Sequence, residues 1–150
     1  MAFSEGPIIV SRISETTLTT AYLYKLAFLT SDGYVLVPAS GAGFTTGQKQ
    51  APFGVCYGVT KTTSTQSEAI PVAVGGIVKL KMSSDSTMVP GDWICASSAG
   101  FGTKGTTADF IIGQLVDFTT GAGRNVGSVK LSPIPVIGFP KAFVTSTANT

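Results

Sequence analysis

The chain has 150 residues, 43% of them hydrophobic and only 12% charged, with no histidine at all. That length fits one domain with a sizeable core, but the charged fraction is about half of the roughly 25% usual for soluble domains. Part of the surface is therefore expected to lie against partners in an oligomer or larger assembly, and a net charge of +2 with scattered Lys and Arg lacks the basic block that marks nucleic-acid or membrane-surface binding.

Residues 1–15 carry Phe3, Ile8, Ile9, Val10 and Ile13 around Gly6-Pro7 without helical spacing. They read as an extended arm, either an edge strand of the domain or a strand lent to a neighbouring subunit. Thr16 to Thr20 suits a loop or edge strand. Ala21 to Leu29 (AYLYKLAFL) fits either period, yet it is followed by Asp32-Gly33 and the apolar run Tyr34 to Val37. Two such runs around an Asp-Gly turn predict a hairpin, which makes 21–29 a strand. Residues 38–51 are a Gly/Thr-rich loop.

Phe53 to Val59 sets Phe53, Val55, Tyr57 and Val59 on one side of a strand and only Gly54, Cys56 and Gly58 on the other. The small side admits close packing by a neighbour. The organising stretch is Ile70 to Met82. Its even positions form an apolar row, while Lys79 and Lys81 face the other way as edge charges. Gly75-Gly76 in its middle predicts a long, sharply bent strand at a barrel corner. Pro71, lacking an N–H, belongs at the strand start or on an unpaired side.

Val89-Pro90-Gly91-Asp92 reads as a type II-like turn feeding a strand at Trp93 to Ala96. After a loop over 97–107, Phe110 to Phe118 and Val126 to Leu131 are the last two strands, joined by a turn at 121–125. Pro133, Pro135 and Pro140 then predict an extended tail, which carries Ile134, Val136, Ile137, Phe139 and Phe143. The tail lies either over its own barrel or on a neighbour. A weak internal echo runs through this order: Phe53-Gly54-Val55 with Val72–Val74 resembles Ile112-Gly113-Gln114 with Val126–Leu131, either as a duplication or as the general look of hairpins.

Catalytic chemistry finds little footing. Without histidine there is no Ser-His-Asp or Cys-His pair and no imidazole base, and two cysteines offer no ordinary zinc site. Cys56 and Cys95 read as buried free thiols, one disulfide or a reactive thiol. The eight acids lie singly, which gives no sign of a glycosidase pair. Gly100 to Gly105 matches G-x-G-x-x-G formally but lacks a following helix. Residues 41–49 (GAGFTTGQK) fail the phosphate-loop pattern at Gln48. Tyr22, Tyr24, Phe28 and Tyr34 with Lys25 could form a stacking face for a single strand, although core packing accounts for them equally. No enzyme activity, cofactor or metal is expected. The N-terminus lacks the n-region and apolar core of a signal peptide, and no apolar run reaches the roughly 18 residues of a helical span, so synthesis in a cytosol and no membrane partner are expected.

The order AYLYKLAFLTSDGYVLVPAS, PFGVCYGV, EAIPVAVGGIVKLKM, VPGDWICASSAGFGT and FIIGQLVDFTTGAGRNVGSVKLSP resembles the head decoration (cement) proteins of tailed bacteriophages over roughly residues 21–133. The resemblance implies a structural protein on the outer capsid surface, commonly a homotrimer, that clamps neighbouring subunits of the major capsid protein. The expected fold is all-β, a small antiparallel β-barrel or β-tulip-like domain over 21–132, with an extended arm over 1–20 and a Pro-rich tail over 133–150. Capsid or subunit contacts are expected from Phe3, Ile8, Ile9, Val10, Ile134, Val136, Ile137, Phe139 and Phe143, with no specific nucleic-acid partner. Removal of residues 1–15 is expected to abolish capsid binding but leave the barrel folded. The alternative is a sugar- or nucleic-acid-binding β-barrel module, for example of a tail or adhesion apparatus.

Overall fold

Alternation with a period of two, backed by β-branched residues, outweighs helical spacing along the chain. In the computed structural model, which describes residues 6–38, 52–60, 68–83, 88–97, 100–105, 110–121 and 124–137, the only helical piece is a single 3-10 turn at Thr20–Tyr22. For 110, 119–121, 124 and 132–137 the description is of the backbone alone. The described strands are β1 (Ile8–Ile13), β2 (Leu26–Leu29), β3 (Val35–Leu36), β4 (Gly54–Cys56) and β5 (Ala69–Gly75), then β6 (Ile77–Lys81), β7 (Trp93–Ala96), β8 (Gly102–Lys104), β9 (Phe110–Gly121) and β10 (Arg124–Ile137).

They form two five-stranded antiparallel sheets, ordered β1-β5-β4-β2-β3 and β6-β10-β9-β7-β8. Numbered within each half, both orders are the same. The registers also agree. Leu26 pairs with Val55 and Ala27 with Gly54; Trp93 pairs with Gln114 and Ile94 with Gly113. Val10 opposes Val72 and Arg12 opposes Ile70, as Val78 opposes Val129 and Leu80 opposes Gly127. Each sheet curls until the residue after its first strand bridges the third strand in parallel, Ser14 to Val35 and Met82 to Gly102. The echo in the sequence is therefore one five-stranded unit used twice.

Close packing explains the shared glycines. A Cβ on Gly54 would run into the Ala73 carbonyl and come within 2.8 Å of Val72 Cγ1; one on Gly113 would meet the Lys130 carbonyl and Val129 Cγ1 at 2.9 Å. Gly76, at φ +77, joins the units. The bent strand read over Ile70–Met82 is thus two strands that enter different sheets, because a left-handed residue breaks the ladder. Pro71 lies within β5 opposite Ser11 of β1; on its other side, past the last β4 pair at Cys56 and Val72, its carbonyl accepts the Tyr57 N–H at 2.9 Å.

One core cluster fills the first unit with Leu18, Ala27, Val35, Val37, Cys56, Ile70 and Val72. A second joins Leu26, Phe28, Val55 and Ala73 of that unit to Val78, Leu80, Met82, Ile94, Leu115 and Val129 of the next. The two units therefore share a core, which at roughly 25 cal/mol per Å2 of buried apolar area is the main force holding them together.

Several expectations change. Of the two readings of the N-terminal segment, residues 8–13 take the edge strand: they pair along their whole length with β5, and Ser14 is buried, so removing residues 1–15 would strip a strand from the first unit. The first half of 21–29 is the 3-10 turn followed by Tyr24 at φ +64, and only Leu26–Leu29 is strand. The hairpin itself forms, with Phe28 opposite Leu36 and Gly33 at φ +81 in the turn. The loop over 97–107 contains β8, and β10 runs past 132 to Ile137. Its ladder skips from Leu131 to Val136, so Pro133 and Pro135 sit in an irregularity where no ladder N–H is needed.

Candidate functional site

The described surface offers strand edges and grooves of about 390, 300 and 610 Å3, the first of them lined by Tyr24, Tyr57, Ile77 and Lys79. Among the described residues no group of three or more His, Cys, Asp or Glu could hold a metal ion, and no helix is long and apolar enough to cross a membrane. Gly102 of the G-x-G-x-x-G run lies in β8, where its missing Cβ makes room for Leu80, Met82 and Ile94. That glycine serves packing. The 41–49 loop lies outside the described residues.

Both cysteines are buried thiols outside any disulfide. Cys56 Sγ donates to the Gly58 carbonyl at 3.0 Å, and burial pushes its thiol above the ordinary range, which lowers the thiolate fraction needed for reactivity. The aromatic residues do not line up as a platform. Phe28 is 2% exposed, and Tyr24 meets Tyr57 edge-on at 5.3 Å.

Lys25 is the buried cation. It lies between Tyr22 and Phe101, 5.5 and 5.0 Å from the ring centroids, and its ammonium donates to the Pro38 carbonyl. Burial first, and the Lys81 charge second, push its pKa down. A groove of about 610 Å3 lined by Thr17, Tyr22, Lys25, Lys81 and Phe101 opens here. The Lys81 ammonium donates to the Ala21 carbonyl at 2.7 Å, so this lysine ties the units together rather than merely charging an edge.

The apolar edge is β1. Ile8 is 61% exposed, Ile9 44% and Ile13 40%, whereas Val10 turns inward against the first core. Ile134, Val136 and Ile137 lie on the backbone of β10, where Val136 opposes Ile111 and Ile137 opposes Phe110. Phe3, Phe139 and Phe143 lie outside the described residues. Ile8, Ile9 and Val10 are therefore brought together on one strand, and the tail positions belong to the other sheet.

Sequence reasoning missed a second apolar spot. Val89 in the turn before β7 is 54% exposed and Val116 on β9 is 44% exposed. Their signal is the repeat. Val89 stands where the first unit has Tyr22, since the Asp92 N–H donates to Val89 O as the Lys25 N–H does to Tyr22 O. Val116 follows Leu115 as Tyr57 follows Cys56, with Leu115 donating to Asp92 O and Cys56 to Lys25 O. Comparison with family models, curated proteins and solved structures gave no match.

Proposed function

We propose that the chain is a structural virion protein, a capsid decoration protein that sits on the outer surface of a tailed-phage head and clamps neighbouring major capsid subunits, most simply as a homotrimer. The observation that carries this is the exposed strand edge: three isoleucines of β1 stand 40–61% exposed on a body with only 12% charged residues. A clamp needs a stiff body and an edge that can add backbone hydrogen bonds to another chain, and repeated attachment multiplies modest contacts through effective concentration. The order of short motifs quoted above supports the same assignment. The test is to produce the chain together with the major capsid protein encoded in the same genome and to sediment assembled heads. Co-sedimentation at a fixed ratio to the shell subunit is expected; heads that stay bare at saturating protein would end the proposal.

A sugar- or nucleic-acid-binding module is favoured by one observation, the groove that combines Tyr22 and Phe101 with Lys25 and Lys81. Against it, the Lys25 ammonium is already held by the Pro38 carbonyl and two rings. Titration with oligosaccharides and oligonucleotides separates the two, since the capsid assignment expects no saturable binding to either.

A further inference from the structure

The repeat within the chain shows what fits beside the first strand of a unit. Around β6, that place is filled by the preceding unit. The Tyr24 carbonyl accepts the Lys81 N–H at 2.7 Å, the Leu26 N–H donates to Gly100 O at 2.8 Å, and the Tyr57 hydroxyl accepts the Lys79 N–H at 2.6 Å. The outward backbone edge of β6 is thereby capped.

The first unit has the same groove beside β1. It measures about 300 Å3 and is lined by Ser11, Arg12, Ile13, Asp32, Gly33 and Tyr34. By register, Ser11 and Ile13 stand for Lys79 and Lys81: they oppose Pro71 and Ala69 on β5 as those lysines oppose Ser128 and Val126 on β10. Gly33 stands for Gly100, each donating its N–H to the carbonyl three residues earlier. Among the described residues no chain segment caps this edge. Meanwhile the second unit presents, with Val89 and Val116 exposed, the corner equivalent to the one that caps β6: Val89 for Tyr22, Gly91 for Tyr24 and Val116 for Tyr57. The exposed large apolar residues collect at these two places, Ile8, Ile9 and Ile13 on one side and Val89 and Val116 on the other, with Val59 the remaining one among the described residues.

We propose that a second copy of this chain docks there, its Val89–Asp92 turn and Val116 entering the groove beside β1 as Tyr22–Lys25 and Tyr57 lie beside β6. The Gly91 carbonyl, which accepts the exposed Gln114 side-chain amide at 3.0 Å, exchanges that bond for the Ile13 N–H. The contact is head-to-tail, so it generates a ring or a filament rather than an isologous pair. It is also more polar than the joint within the chain. Where the first unit buries Val55 and Ala73 against the second, the second has Gln114 and Lys130, both exposed. The capsid proposal draws on the same β1 edge, so the two assignments compete for it, and this one concerns the purified chain alone.

The test is mass in solution, by light scattering on a size-exclusion column, for the full-length protein and for Ile13→Asp and Val116→Asp. Wild type is expected to be oligomeric and each variant monomeric. An equimolar mixture of the two variants is expected to form a dimer and nothing larger, since one supplies an intact corner and the other an intact groove. That recovery also shows that both variants fold. A wild type that stays monomeric up to its solubility limit, variants that keep the wild-type mass, or a mixture that stays monomeric would each overturn the proposal. So would a monomer whose β1 edge is instead protected from hydrogen exchange only on assembled heads, which would give the groove to the shell.

Discussion

Where the second unit has Leu80, with no exposed surface, the first unit has Arg12, exposed, with its guanidinium 5.3 Å from the centroid of Phe53. The two positions are equivalent in register, Arg12 opposite Ile70 and Leu80 opposite Gly127. The backbone is the same, and what differs is cover: β6 is enclosed by the preceding unit, whereas among the described residues no such segment lies against β1. Register fixes which way a side chain points, but neighbours decide whether that direction is core or water. The largest expected effect follows. Leu80→Arg places an unpaired charge in the shared core and should cost more than about 4 kcal/mol, enough to abolish cooperative unfolding in urea. Arg12→Leu should change stability by no more than about 1 kcal/mol. If Leu80→Arg folded normally, the shared core would be wrongly placed.

Elsewhere the units agree, and agreement can be tested too. Gly54 and Gly113 are each pressed against a facing carbonyl and a valine methyl. Gly54→Ala and Gly113→Ala should each lower stability by about 2 kcal/mol, the cost of forcing a methyl into a filled site. Similar shifts in the urea midpoint would support equal packing in the two halves. Tolerance of one substitution alone would show that the repeat is of strand order and not of packing.

How far the sequence disclosed this arrangement depended on whether local chemistry and environment agreed. The Asp32-Gly33 hairpin and the turn at Val89–Asp92 were legible because each needs a glycine at positive φ, and Gly33 at +81 and Gly91 at +96 supply it. The glycines of β4 and β9 marked close approach, and their common context was the visible trace of the repeat. β1 was hard to place because nearly all of it is exposed, which leaves no alternation of burial to read. β8 is Gly-Thr-Lys, with no apolar residue, and is a strand only because β7 pairs with it. The prolines after Leu131 argued correctly against regular pairing there, yet the ladder resumes at Val136. The candidate surface was half legible: the isoleucines of β1 stood out, but Val89 and Val116 gained meaning only when the repeat aligned them with Tyr22 and Tyr57.

A smaller effect separates the two residues in the left-handed region that stand two positions before β2 and β7. Gly91 adopts φ +96 and a Cβ there would meet nothing within 4 Å, so Gly91→Ala should cost about 1 kcal/mol through the backbone alone. Tyr24 tolerates φ +64 while its ring packs against Tyr57. Tyr24→Gly relieves the backbone but loses the ring contact, worth about 1 kcal/mol, together with the ring's packing against the shared core, so it should be the less stable of the two. Thermal unfolding of both variants distinguishes strain from contact; a Tyr24→Gly protein as stable as wild type would mean that the ring carries no more than the backbone costs.

The subtlest difference lies between Lys25 and its counterpart Asp92. Asp92 accepts a salt bridge from Lys104 at 3.3 Å in a partly exposed site, where such a pair contributes little. Lys25 is 3% exposed at the joint of the two units, and its lowered pKa reflects burial and then the nearby Lys81 charge. A lowered lysine pKa means that the unfolded chain holds the proton more tightly than the folded one. Below the folded value both states are charged and the full cost of burying the ammonium is present. As pH rises from that value towards the ordinary lysine range, the folded state releases the proton first, so the Lys25 contribution to stability increases. Cys56 and Tyr57, both raised by burial, act in the opposite sense, their stabilisation falling as pH rises above the ordinary thiol and phenol values. Lys25→Met keeps both of those groups, so the difference in stability between wild type and Lys25→Met isolates the lysine. That difference should move in favour of wild type as pH rises through the window below the ordinary lysine pKa, measured by urea unfolding. A difference that is flat with pH would mean that the ammonium is as well solvated in the folded joint as in the open chain, and that Lys25 binds the two units by its stem and ring contacts alone.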